Sequence, residues 1–72
     1  MKADHTALDE ADRAIAEAER RVAWMTNVIS LLRKHRQETA VAEDRLARFM
    51  KMRDTFLAHR QDIERRTTNH DE

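Results

Sequence analysis

The chain of 72 residues contains no cysteine, proline, glycine or tyrosine, and only 4% of its residues are aromatic. Without cysteine it forms neither disulfides nor thiolate metal sites, which are the usual staples of small domains. The absence of glycine and proline disfavours folds rich in strands and tight turns. With both staples excluded, burial against another helix or another copy of the chain is the expected source of stability.

Long hydrophobic runs are also missing. No apolar run approaches the roughly 20 residues that a membrane span needs. The start, MKADHTALDE, contains no apolar segment of the kind found in secretory signals. Together with the lack of cysteine, these features lead us to expect a cytoplasmic protein with no membrane partner.

The apolar residues that are present follow a regular heptad in the first half of the chain. Charged residues make up 39% of the sequence, as in many disordered chains, but this periodicity argues for folding. Two rows, three residues apart, occupy the a and d positions: Leu8, Ile15, Val22, Ile29 and Ala11, Ala18, Met25, Leu32. This spacing predicts a helix that packs side by side with another helix.

The second half carries an apolar stripe that is interrupted by charge. Its apolar members are Ala42, Leu46, Phe49, Met50, Phe56, Leu57 and Ile63. Arg53 and Arg60 fall inside this stripe, seven residues apart on one helix face. We expect their stems to cover apolar neighbours while their guanidiniums reach water or acids at the seam edge, with Glu19 and Asp12 on the first helix as candidate partners. A carboxylate or other anion site at these two arginines is the less favoured alternative.

The stretch LLRKHRQETAVAEDRL, residues 31–46, predicts a reversal of the chain. The basic cluster at residues 33–36 precedes the acidic residues Glu38, Glu43 and Asp44, as at a helix C-terminus followed by a new N-terminus, and Thr39 is a suitable N-cap. We therefore predict frayed ends at 1–6 and 67–72, and a hairpin over 7–66. This hairpin has helices at 7–36 and 40–66 and a turn near 36–39. No glycine marks the stop, so a straight helix that pairs as a long antiparallel coiled coil stays an alternative.

A fold of the all-α class, with an antiparallel two-helix hairpin, best explains both stripes. Facing residues then have numbers that sum to about 75, which sets the small Ala18 against the large Phe56 and Leu57. In a straight parallel dimer, Arg53 and Arg60 would each meet its own copy inside the seam, which is costly.

A second apolar stripe lies to the side of the seam. Its members are Trp24, Val28, Leu31, Val41 and Met52. We expect this stripe to cover a second hairpin, so that a homodimer forms a four-helix bundle. Its alternative role is a docking groove for another protein, with Trp24 as the anchor.

The residue types needed for chemistry are sparse. Ser30 is the only serine and has no neighbouring base, and no glutamate has a histidine three residues later, as a di-iron bundle requires. We expect no catalytic residues, no metal and no cofactor. The predicted function is a non-catalytic protein–protein interaction module, such as a small adaptor, cochaperone or regulatory subunit.

Nucleic-acid binding through the arginine-rich second helix is the alternative function. Residues 45–66 contain seven basic and three acidic side chains. The whole chain is neutral, however, and many of these arginines have acidic neighbours in the sequence, so we consider a nucleic-acid partner less favoured.

Overall fold

Two long helices, joined by a five-residue turn, make up the structure. The computed structural model describes the backbone of residues 2–70 and the side chains of residues 7–66. Helix α1 spans Lys2–Lys34 and helix α2 spans Ala40–His70. They pack against each other as an antiparallel hairpin 57 Å long and 15 by 12 Å in cross-section. A straight helix of about 60 residues would be about 90 Å long at 1.5 Å per residue, so the chain is folded back and not extended.

The seam between the helices is built on the heptad predicted for α1. All eight a and d positions from residue 8 to residue 32 are buried or half-buried. Among residues 7–66, the buried apolar side chains are Ala11, Ile15, Ala18, Met25, Ile29 and Ala42. The largest apolar cluster lies next to the turn, where Met25, Ile29 and Ala42 pack with partly buried neighbours: Val28, Leu32, Leu46 and Phe49. Burial of each large side chain contributes roughly 1.5–3 kcal/mol.

Helix α2 contributes a stripe whose members alternate at spacings of four and three residues. Its buried and half-buried positions are Ala42, Leu46, Phe49, Arg53, Phe56, Arg60 and Ile63. Met50 and Leu57 do not belong to the closely packed part of this stripe, because they are 39% and 38% exposed at its edge. Their neighbours Phe49 and Phe56 occupy the seam positions, so each phenylalanine keeps the adjacent side chain outside.

Helix α1 ends in a Schellman motif. The Gln37 amide donates to the Leu32 carbonyl at 2.8 Å, and the Arg36 amide donates to the Arg33 carbonyl at 3.0 Å. Arg36 adopts the left-handed conformation, with φ of 58°. This position usually holds glycine or asparagine, because a side chain there costs about 1–2 kcal/mol. The helix therefore stops without the residue type that normally signals a stop.

Helix α2 begins directly after Thr39. The Glu43 amide donates to the Thr39 carbonyl at 2.8 Å, which is the first hydrogen bond of the helix and places Thr39 at the N-cap. The Thr39 hydroxyl donates to the Glu43 carboxylate at 2.8 Å. Within residues 2–70, the non-helical residues are 35–39, close to the predicted turn at 36–39.

The outer helix bounds differ from the predicted bounds of 7 and 66, because the assigned helices extend from Lys2 and to His70. The predicted fraying concerns residues 1–6 and 67–72, whose side chains lie outside the described part of the chain, and it stays a prediction.

Candidate interaction surface

The candidate site is a lateral face of the hairpin, formed by the flank of the seam that contains the g and c heptad positions of both helices. In an antiparallel pair, the g flanks of the two helices lie on one side of the seam and the e flanks on the other. Contacts across the hairpin agree with this geometry. On the g side, the Arg21 guanidinium lies 5.9 Å from the centre of the Phe49 ring. On the e side, Arg33 is ion-paired with Glu43 across the turn at 2.9 Å.

All five residues of the predicted lateral stripe fall on the g side. Four of them are exposed: Trp24 by 60%, Leu31 by 58%, Val41 by 69% and Met52 by 42%. Val28 is half-buried and also packs against the apolar cluster next to the turn. Trp24 and Leu31 are one heptad apart, so both side chains lie on one line along α1. The five apolar residues of this stripe therefore form an apolar patch on the lateral face, and the patch adjoins the core cluster next to the turn.

Charged side chains surround this apolar surface. Glu17 accepts hydrogen bonds from Arg20 at 2.8 Å and from Arg21 at 3.1 Å. These hydrogen bonds hold the pKa of the Glu17 carboxyl below its ordinary value. On α2, Arg48 is paired with Asp44 at 3.1 Å. The paired groups are well exposed, so each bridge contributes little to stability.

The seam arginines are half-buried, with exposed side-chain fractions of 27% for Arg53 and 32% for Arg60. Arg60 donates to Asp12 on α1, as expected, and is also paired with Glu64 at 2.9 Å. These two hydrogen bonds raise the pKa of the Arg60 guanidinium. Arg60 thus links α2 to α1 in the half of the hairpin that lies away from the turn.

Glu19 was a candidate partner for Arg53, but Arg53 bonds to a carboxylate on its own helix. Arg53 bonds to the carboxylate of its neighbour Asp54, at 3.2 and 3.3 Å, and not to Glu19. Asp54 is adjacent to Arg53 on the same helix, so the side chain reaches it without crossing the seam. The guanidinium therefore stays at the edge of the seam. Both arginines therefore have carboxylate partners within the hairpin.

The e side holds a shallow groove next to the turn. Its volume is about 550 Å³, and it is lined by Thr26, Ile29, Ser30, Arg33, Glu43 and Leu46. The charged groups at its rim are already paired with each other. Hydrogen bonds from Thr39 and Arg33 lower the pKa of the Glu43 carboxyl. The groove thus belongs to the network that closes the turn.

This turn network is the feature that sequence reasoning missed. The available signal was the spacing of Thr39 and Glu43, four residues apart at the start of α2, with Arg33 in the last turn of α1. Helix-terminus charge preferences pointed to each residue separately, but they did not indicate that one carboxylate would serve both partners.

Among the described residues, no three histidine, aspartate or glutamate side chains come together in a way that could hold a metal ion. In the same part of the chain, neither helix has an apolar stretch long enough to cross a membrane. No family model, curated protein or solved structure matches this chain.

Proposed function

We propose that the chain is a non-catalytic protein–protein interaction module, of the kind used as a small adaptor, cochaperone or regulatory subunit in the cytoplasm. In this proposal two hairpins bury their lateral faces against each other and form a four-helix bundle. The observation that carries it is the exposed apolar surface of Trp24, Leu31 and Val41 on a hairpin only two helices thick.

Two physical arguments support this proposal. A hairpin of this size has a thin core, since only six apolar side chains in residues 7–66 are buried. Chains below about 80 residues that lack disulfides and metals are commonly stabilised by association. In addition, an exposed tryptophan beside aliphatic side chains has the composition of an interface anchor.

Nucleic-acid binding is less well supported. Of the seven basic side chains between residues 45 and 66, Arg48, Arg53, Arg60 and Arg66 are each paired with a carboxylate of the hairpin. A phosphate backbone would have to compete with these carboxylates for the guanidiniums. The remaining basic residues do not form a continuous stripe, because Arg45 lies on the lateral face while Lys51 and Arg65 occupy outer f positions.

Substitution of Trp24 by glutamate tests the proposal. We expect light scattering to give the wild-type chain a mass of about twice 8.5 kDa, and the Trp24→Glu variant a mass of 8.5 kDa. The charge would lie in the proposed interface, where it lacks a partner. Ala58→Glu, at an exposed outer position of α2, is the matched control and should remain a dimer.

Circular dichroism separates loss of association from loss of folding, and the milder Trp24→Ala variant serves if the glutamate variant unfolds. A wild-type chain that stays monomeric at high concentration, or a Trp24 variant that dimerises like wild type, would contradict the proposal.

A further inference from the structure

The lateral face has two halves with different chemistry. Because facing residues have numbers that sum to about 75, each residue of α2 can be assigned a level on α1. Met52 lies near level 23, and Arg66 near level 9. The pairing of Arg33 with Glu43 agrees with this register. We define the turn half as levels 22–35 and the open half as levels 7–21.

The turn half contains every large apolar residue of the lateral face, together with Arg45, Arg48 and His35. The open half contains Ala7 and Ala14 and a set of polar or charged side chains: Glu10, Glu17, Arg21, Thr55, His59, Asp62 and Arg66. The two halves therefore differ in both hydrophobicity and charge, and this asymmetry bears on how a second copy can dock.

We infer that the second copy docks with its turn at the same end, related by a two-fold axis parallel to the long axis of the hairpin. This inference rests on the proposed homodimer and specifies its geometry. A two-fold rotation of this kind places α1 of one copy against α2 of the other, with all levels preserved. The resulting dimer is a bundle in which the four helices have antiparallel neighbours.

Apolar burial favours this arrangement. Turn half meets turn half, so Trp24 lies at the level of Met52 of the second copy, and Leu31 lies near Val41 of the second copy. These four side chains are the most exposed large apolar side chains among residues 7–66. Their mutual burial removes more apolar surface from water than burial against the alanines and carboxylates of the open half would.

Charge complementarity favours the same arrangement. Glu10 lies at the level of Arg66 of the second copy, and Glu17 lies at the level of His59 of the second copy. Among the side chains of residues 7–66, Glu10 forms no ion pair. Arg66 is paired only with Asp62, at 2.9 Å, and its side chain is 80% exposed. The guanidinium thus has room for a second carboxylate.

The opposite orientations are less favourable. If the turns lie at opposite ends with full overlap, Val28 meets Ala14 of the second copy and Leu31 approaches its Glu10. If only the turn halves overlap, the apolar residues meet, but Arg45 then lies beside Arg48 of the second copy. Like charges at a partly desolvated interface oppose association.

Disulfide trapping tests the orientation, and the natural chain is suited to it because it contains no cysteine. Two single-cysteine chains, Glu10→Cys and Arg66→Cys, are mixed and oxidised, with a mass tag on one chain. We expect the mixed crosslink to exceed either self-crosslink by about tenfold, because the dimer raises the effective concentration of the two thiols. Chains with Glu10→Cys and Glu38→Cys form the matched control and should crosslink poorly.

Two further chains report the other orientations. Val28→Cys should crosslink with Ala14→Cys if the turns lie at opposite ends with full overlap, and with itself if only the turn halves overlap. Either result, with a dimer mass by light scattering, would overturn the inferred orientation while leaving the proposed function intact. A monomer mass with no crosslink would instead overturn the homodimer, and with it the proposed form of the function.

Discussion

The half of the hairpin next to the turn and the half next to the chain ends share one heptad spacing but differ in what fills it. Near the turn, the seam is apolar on both helices and forms the main core cluster. Toward the chain ends, small residues of α1 face a stripe of α2 that includes Arg53 and Arg60. The first half is held by burial, whereas the second is aligned partly by the bond between Arg60 and Asp12.

This difference explains where the candidate interface lies. Large side chains fill the seam near the turn and continue outward onto the lateral face, as Val28 does when it packs against the core cluster. Near the chain ends, the seam combines apolar side chains such as Ile15 and Phe56 with Arg53 and Arg60, and the lateral face is polar. The part of the seam without arginines and the apolar part of the lateral face therefore belong to the same half of the molecule.

The largest effect on stability is expected when the same substitution, isoleucine to alanine, is made once in each half of the hairpin. Ile29→Ala, in the core cluster, should lower the free energy of unfolding by about 2–5 kcal/mol, because it removes buried methyl groups and leaves a cavity. Ile15→Ala, near the seam arginines, should have an effect at the lower end of that range, since the flexible Arg60 stem can occupy part of the space. Urea unfolding followed by circular dichroism measures both values. Equal losses would show that the two halves are held in the same way.

A smaller effect is expected at the turn. Arg36→Gly should stabilise the hairpin by about 0.5–1 kcal/mol, because glycine adopts positive φ without the steric penalty of a side chain. Gln37→Gly, one residue later, is the matched control and should not stabilise, since only Arg36 has positive φ within the described backbone. Thermal unfolding midpoints compare the two variants. A lower midpoint for Arg36→Gly than for wild type would contradict the Schellman assignment.

The smallest effect is a pH dependence that arises at the turn. Hydrogen bonds from Thr39 and Arg33 lower the pKa of Glu43, so its carboxylate contributes stability above its unfolded pKa near 4.5. That contribution is lost as the pH falls through the folded pKa. We expect the midpoint difference between wild type and Glu43→Gln to be present at pH 7 and to shrink below about pH 4.5. If the midpoint difference stays constant down to pH 3, the charge of Glu43 does not contribute to stability.

Several features of the fold were predictable because they depend on spacing alone. The rows that begin at Leu8 and Ala11 recur every seven residues, so any helix formed by this segment presents them on one face. The placement of Trp24 and Leu31 beside this face follows from the same geometry. The bond from Arg60 to Asp12 was predictable once the antiparallel register was assumed.

Other features depend on which of several neighbours a side chain reaches. Glu19 was one candidate partner of Arg53, but this long and flexible side chain bonds to the adjacent Asp54 on its own helix. Met50 and Leu57 were expected in the seam, but a helix face holds only one large side chain at each level. Phe49 and Phe56 occupy the seam positions at these levels. The residue types alone did not show which member of each adjacent pair would face the seam.

The sequence by itself determined that the chain is helical and which face of each helix is apolar, because heptad spacing acts through local backbone geometry. The sequence predicted a reversal near residues 36–39 but left a straight helix as the alternative, and only the tertiary structure decided that the chain reverses, at Arg36. No residue type in the turn demands a stop, and the left-handed conformation there is unfavourable in isolation. It is maintained by the two capping hydrogen bonds and by the burial of Met25, Ile29 and Ala42 between the helices, which is available only when the chain folds back.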